Sequence, residues 1–196
     1  MQNEIVLIRH GKTAGNLRGT YIGRTDEPLC PEGRALLVAR KEAGDYPPVD
    51  RVFTSPLLRC RETAKLLYPL AAVIREDLRE MDFGDFEGKS YAELNGNPDY
   101  QRWIDLEGTI PFPGGEDPMA FRQRSAMAFR TLCRELREGE RAAVICHGGT
   151  IMAVLAAFAR PFGDFYHWQA ANGCGYRFIF DAESGLAENV TSVPLV

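Results

Sequence analysis

The chain has 196 residues, enough to bury a substantial core in one domain. Apolar residues make up 45% and charged residues 26%, and the net charge of −4 at pH 7 excludes the basic excess expected of a nucleic-acid-binding surface. No apolar stretch reaches the roughly 18 residues of a membrane span, and the amino terminus lacks the basic start and apolar run of a secretion signal, so a cytoplasmic protein without a membrane partner is expected.

The spacing predicts a first strand over residues 3–9. Ile5-Val6-Leu7-Ile8 is a continuous apolar run, the pattern of a strand buried on both faces of a parallel sheet. It leads into Arg9-His10-Gly11, then Lys12, Thr13 and Asn16. The carboxyl end of such a strand lies at the rim where open α/β folds bind ligands. Gly11 permits a sharp turn, while Thr13 and Asn16 bring a hydroxyl and an amide just beyond it. A cation, an imidazole and free backbone N–H groups at one strand end suit an anion, above all a phosphate. A lone Arg-His-Gly is a weak signal; its place directly after a buried strand is what gives it weight.

Residues 17–32, with Gly19, Gly23, Pro28 and Pro31, read as a long loop, a common place for function beside a catalytic strand. A helix follows from Pro31 to about Ala43, then a strand over 50–54. Ser55-Pro56 should open the next helix, with Ser55 as its cap, running to about Tyr68. Arg59 falls in the first turn of that helix, on the same rim as His10. A cation there opposes the helix dipole, which argues for an anion nearby. Ala72-Val73-Ile74 is a third strand.

Residues 78–88 hold four acids mixed with aromatics and glycine. The spacing lacks the ligand pattern of a calcium loop, so no metal is expected; one carboxyl held as a general acid is the better reading. Residues 90–107 read as two short helices broken near Asn97-Pro98, with Tyr91, Leu94 and Trp103 facing inward. Turns over 109–117 then make residues 85–116 an insertion capping the site. A long amphipathic helix spans about 116–136. Ala142–Cys146 is a strand running into His147-Gly148-Gly149-Thr150 and an apolar helix over Ile151–Ala159, which repeats the opening layout. His167 has no such context. Gly173–Phe180 and Leu186–Val193 read as a terminal hairpin. The fold class expected is α/β: three αβα layers around a mostly parallel sheet, with antiparallel edge strands and a small helical cap.

The five cysteines are irregularly spaced and lack a CxxC, which points to reduced thiols in a reducing compartment. Cys146 adjoins His147, but a cysteine inside an apolar strand is read as structural rather than nucleophilic.

Taken together, these residues resemble the histidine phosphatase superfamily, also called the phosphoglycerate mutase-like family. The likeness spans nearly the whole chain: Arg9-His10-Gly11 with Thr13 and Asn16, the loop from Tyr21 to Leu29, the segment from Ser55-Pro56-Leu57-Leu58-Arg59 through Cys60-Arg61-Glu62-Thr63-Ala64, the acidic stretch from Glu80 to Gly88, Gly115-Glu116, and His147-Gly148-Gly149. The resemblance implies a phosphohistidine mechanism needing no metal or cofactor. His10 would attack phosphorus, and Arg9, Arg59 and His147 would bind the phosphoryl oxygens. Glu80 would protonate the leaving oxygen and then activate water. Thr13, Asn16, Gly23 and the Gly148 backbone would be further substrate contacts. Glu80 and His147 are 147 − 80 = 67 residues apart, shorter than in the mutases, so the chain resembles the phosphatases more. The order Tyr21-x-Gly23-x-x-Asp26-x-Pro28-Leu29 resembles α-ribazole phosphatases of cobalamin biosynthesis. Lys12 departs from the family, where an acid is common, and would favour more anionic substrates.

The expected partner is thus a small-molecule phosphate ester. A bisphosphate-dependent phosphoglycerate mutase and a non-catalytic phosphate-binding module stand as alternatives, the second disfavoured by the presence of both His10 and Glu80. The motifs meet only the phosphoryl group common to all candidates, so selectivity is left to residues 17–29 and the cap. They do not encode the oligomeric state, and a homodimer is an open alternative.

Overall fold

The apolar run Ile5–Ile8 forms the middle of β1 (Gln2–Arg9), and all four side chains are at most 1% exposed. Because successive strand side chains point to opposite faces, Ile5 and Leu7 pack with Phe129, Leu132, Ile151 and Phe178 on one side, while Val6 and Ile8 pack with Leu37, Cys60 and Ala64 on the other. A strand buried on both faces needs helices on both faces. In the computed structural model, which describes residues 1–194, α6 (Pro118–Cys133) and α7 (Gly148–Phe158) cover the first face, and α2 (Pro31–Glu42) and α3 (Leu58–Leu67) the second.

β1 joins β2 (Arg51–Thr54), β3 (Ala72–Ile74), β4 (Arg141–Cys146), β5 (Gly175–Asp181) and β6 (Leu186–Val193) in one sheet, ordered β3-β2-β4-β1-β5-β6. β1 to β4 run parallel; β5 and β6 are antiparallel to their neighbours. The expected three-layer α/β architecture is the one observed. Its most consequential detail is register: β1 and β4 are adjacent, with Arg9 opposite Cys146. The next residues, His10 and His147, therefore leave neighbouring strands side by side.

Over residues 85–116 the chain forms α4 (Tyr91–Leu94) and α5 (Pro98–Asp105), broken at Asn97 as the sequence suggests. Phe86, Leu94 and Phe112 make a separate apolar cluster there, joined by Tyr21, Phe83, Tyr100 and Trp103. The acidic stretch contains short 3-10 turns at Glu76–Leu78 and Gly84–Phe86.

Four local expectations change. Residues 14–18, expected as turn and loop, form α1 (Ala14–Arg18), because Thr13 and Asn16 build a reciprocal capping box. Ser55 does not cap α3: Leu57 holds that position without a side-chain cap. Tyr91 is exposed rather than packed inward. α7 begins at Gly148 rather than Ile151, so His147 itself is the cap residue and both glycines lie in the first turn. Among the described residues, all five cysteines are free, and no helix is long and apolar enough to cross a membrane.

Candidate active site

Four elements converge at the carboxyl ends of β1, β2 and β4. His10 ends β1 and is 4% exposed. Its Nδ1 lies 2.7 Å from the Gly11 carbonyl oxygen, which can only accept, so Nδ1 carries the proton and donates. Nε2 of the neutral ring then keeps its lone pair, and the Arg59 Nε–H donates to it at 3.2 Å. Burial, then Arg59 and Arg9, push the His10 pKa well below its ordinary value, so the imidazole stays neutral. The surrounding backbone is pinned. The Gly11 N–H donates to Thr63 Oγ1 at 3.0 Å, and the Asn172 amide donates to the His10 carbonyl at 3.1 Å.

Arg59, in the first turn of α3, is fully buried and, among the described residues, has no carboxylate partner. Its Nη1 donates to the Thr25 carbonyl at 2.7 Å and its Nη2 to that of Gly23 at 2.8 Å. Those carbonyls lie in the loop after α1, which Glu87 holds from the other side by accepting from the N–H groups of Gly23 and Arg24 and from the Thr25 hydroxyl. Arg9 donates from Nη1 to the Ala170 carbonyl at 2.8 Å, while its buried Nε–H has no partner among the described residues. Two cations at a buried site with no paired acid leave a charge deficit that a bound anion would fill.

His147 is fully buried, its ring centroid 5.3 Å from that of His10. Its Nε2 shares a 2.7 Å hydrogen bond with Ser55 Oγ, and burial followed by Arg59 depresses its pKa strongly. Glu80 lies after the first 3-10 turn in a stretch without regular structure. Its two carboxylate oxygens accept from the N–H groups of Met81 and Gly149, each at 3.0 Å. Burial nevertheless raises its pKa, outweighing those bonds and both arginines. Gly149 must be glycine: a Cβ there would stand 2.5 Å from Glu80 Oε1.

A cavity of about 640 Å³ opens over this rim. Arg9, His10, Asn16, Glu80, Gly148 and Gly149 line its polar floor; aromatics including Tyr21, Phe83, Tyr91, Trp103, Phe112 and Tyr166 line its walls. Arg59 and His147 do not line it; both are fully buried and adjoin His10. Thr13 and Gly23, expected as substrate contacts, are not brought to the cavity. The buried Thr13 hydroxyl accepts from the Asn16 N–H at 3.2 Å, and both polar backbone groups of Gly23 are occupied by Glu87 and Arg59. Thr13 is a helix cap and Gly23 a link in the loop that holds Arg59. Four residues of the site have no site role in the sequence reading: Thr63 and Glu87 lie inside the segments that carry the family resemblance but without a role, Asn172 carries no local signature, and the hydroxyl of Ser55 suggests a cap. Cys146 and Cys60, beside His147, are buried, which raises both thiols, Cys60 to about 12, and suits the structural reading. Among the described residues, no three His, Cys, Asp or Glu side chains gather in a way that could hold a metal ion.

Residues 5–191 match the model of the histidine phosphatase superfamily (branch 1). The chain is 29% identical over 175 residues to an adenosylcobalamin/alpha-ribazole phosphatase of Salmonella typhimurium, covering 86% of each protein. It is 34% identical over 162 residues to a 2,3-bisphosphoglycerate-dependent phosphoglycerate mutase 2 of Gloeobacter violaceus, covering 77% of this chain and 73% of that one. The crystal structure of a putative alpha-ribazole-5'-P phosphatase from Escherichia coli K-12 superimposes with a TM-score of 0.82 at 26% identity, over 97% of this chain and 95% of the other.

Proposed function

The chain belongs to the histidine phosphatase superfamily, and on that premise we propose that it is a phosphomonoesterase that releases phosphate from a small ester with a flat aromatic ring in its leaving group, α-ribazole 5′-phosphate being the substrate favoured. His10 Nε2 attacks phosphorus while the incoming phosphoryl oxygen takes over the Arg59 Nε–H that the lone pair held before. Arg9 supplies its unpartnered Nε–H, and His147 and the first turn of α7 supply further donors. Glu80, whose burial biases its carboxyl toward the protonated form, delivers a proton to the leaving oxygen. Once ionised, it takes a proton from the water that hydrolyses the phosphohistidine. Phosphoryl transfer asks mainly for positioning and charge stabilisation, which this arrangement supplies without a metal or cofactor.

The observation that carries the substrate assignment is the cavity wall. Among its described lining residues the only Lys, Arg, Asp or Glu side chains are Arg9 and Glu80, and the rest of the polar surface is neutral. A phosphoglycerate would bring a carboxylate into this enclosure with no cation to spare, a desolvation cost of several kcal/mol. A heteroaromatic ring gains burial against the aromatic walls, plus about 0.5–1.5 kcal/mol from ring packing. This wall opposes the expectation that Lys12 draws more anionic substrates: Lys12 is exposed and outside the cavity lining. Residues 85–116 act as a cap that adds Tyr91, Trp103 and Phe112 to this wall, on an otherwise single domain, and the unpaired cysteines suit the cytoplasm.

The test is phosphate release from α-ribazole 5′-phosphate, 3-phosphoglycerate and sugar phosphates, with EDTA present and His10→Ala alongside. The expected result is a kcat/KM at least about 100-fold higher for the ribazole ester, the equivalent of about 2.7 kcal/mol, abolished in the variant. Isomerisation of 3-phosphoglycerate on a bisphosphate primer, or even release across the panel, would overturn the assignment.

A further inference from the structure

Glu80 can donate a proton only if its carboxyl is held at the leaving oxygen, yet residues 79–83 belong to no helix or strand. Contacts from another part of the chain must fix them. Arg124, in α6, is largely buried and points its whole fork at this stretch. Its Nε and Nη2 donate to the two oxygens of Glu116 at 2.9 and 2.8 Å, a bidentate pair. Its Nη1 donates to the carbonyls of Asp77 and Arg79, at 2.8 and 3.0 Å. The Arg79 carbonyl belongs to the peptide that leads directly into Glu80. On the far side, the Glu116 N–H donates to the Asp82 carbonyl at 2.9 Å. The ion pair therefore grips the chain both before and after Glu80.

We propose that Arg124, locked by Glu116, is a positioning residue that sets the reach of the Glu80 carboxyl toward the leaving-group oxygen. It touches neither His10 nor the cavity. The geometry needs a guanidinium: four bonds leave one plane in fixed directions, two to a carboxylate and two to the carbonyls of Asp77 and Arg79. A lysine ammonium has three donors and no fork. The carboxyl has little freedom to compensate, since it is clasped by the Met81 and Gly149 N–H groups and has no space beside Gly149.

The inference rests on Glu80 being the proton donor, and leaving-group dependence separates the two ideas. A nitrophenolate departs without a proton, whereas an alkoxide needs one. Arg124→Lys, Arg124→Ala and Glu80→Gln are each assayed on p-nitrophenyl phosphate and on an alkyl phosphate. For Arg124→Lys, kcat/KM on the alkyl ester is expected to fall about 30- to 100-fold, the order that an ångström of misplacement costs, with the nitrophenyl ester changed by less than about 3-fold. Glu80→Gln shows the same selectivity at larger amplitude. Should Arg124→Ala not fold, Arg124→Lys and Glu116→Gln carry the measurement. Equal loss on both esters, or none on either, while Glu80→Gln stays selective, overturns the positioning role and leaves the proton donor intact. A Glu80→Gln enzyme without leaving-group selectivity overturns both.

Discussion

β1 and β4 end in nearly the same way. Each is an apolar strand followed by histidine, glycine and a helix start, the strands are parallel neighbours, and the two imidazoles lie 5.3 Å apart. They are nonetheless set up for different work. His10 donates from Nδ1 to a backbone carbonyl, which leaves Nε2 as a lone pair facing Arg59. His147 has its Nε2 committed to the Ser55 hydroxyl and is completely buried beside His10. A histidine's role is therefore not written in the strand that delivers it. The partner of one ring nitrogen decides what the other can do.

The largest expected effect breaks the pair apart. His10→Ala should lower turnover by at least about 10⁴-fold, as loss of a covalent nucleophile does. His147→Ala should cost about 10- to 150-fold, the worth of one charge-assisted hydrogen bond at about 1.5–3 kcal/mol. Rapid quenching with a labelled ester should still trap phosphoenzyme in His147→Ala and none in His10→Ala. Label trapped in both variants would make the two histidines interchangeable and end the distinction.

A smaller effect tests what the two share. Burial lowers both pKa values in the fold, whereas in the unfolded chain histidine titrates near 6.5. Above about pH 6.5 both states are neutral and stability does not depend on these groups. Below it, the unfolded chain takes up protons that the fold refuses. Stability should then fall with decreasing pH, by up to about 1.4 kcal/mol per pH unit per histidine, until the folded values are reached. Urea unfolding between pH 7.5 and 5 measures this, and His147→Gln should remove about half of the slope. A slope unchanged by that variant would show that His147 is not held neutral.

The smallest effect sharpens the contrast. Ser55→Ala removes the partner of His147 Nε2 and should reduce kcat/KM about 5-fold, on the order of 1 kcal/mol, without loss of phosphoenzyme. A loss as large as that of His147→Ala would mean that the hydroxyl, rather than the ring, supplies the contact to the phosphoryl group.

The sequence by itself determined the sheet and the residues at its rim. Apolar runs ending in Arg9-His10 and His147-Gly148, and Arg59 early in its helix, are legible because strand and helix periodicities are local and a rim is where a strand stops. Glu80 came from resemblance to a family rather than from any local pattern. Which side chains meet was decided only by the tertiary structure. Ser55 read as a helix cap and Thr13 as a phosphate contact, because a hydroxyl's partner is set by whatever packs against it. Glu87 reaches the loop that holds Arg59 across 62 to 64 positions of chain, and Arg124 reaches the approach to Glu80 across 45. Such contacts leave no periodic trace. They arise where separate elements are pressed together by two shared cores, and a buried polar group must take the partner that the packing puts within its reach.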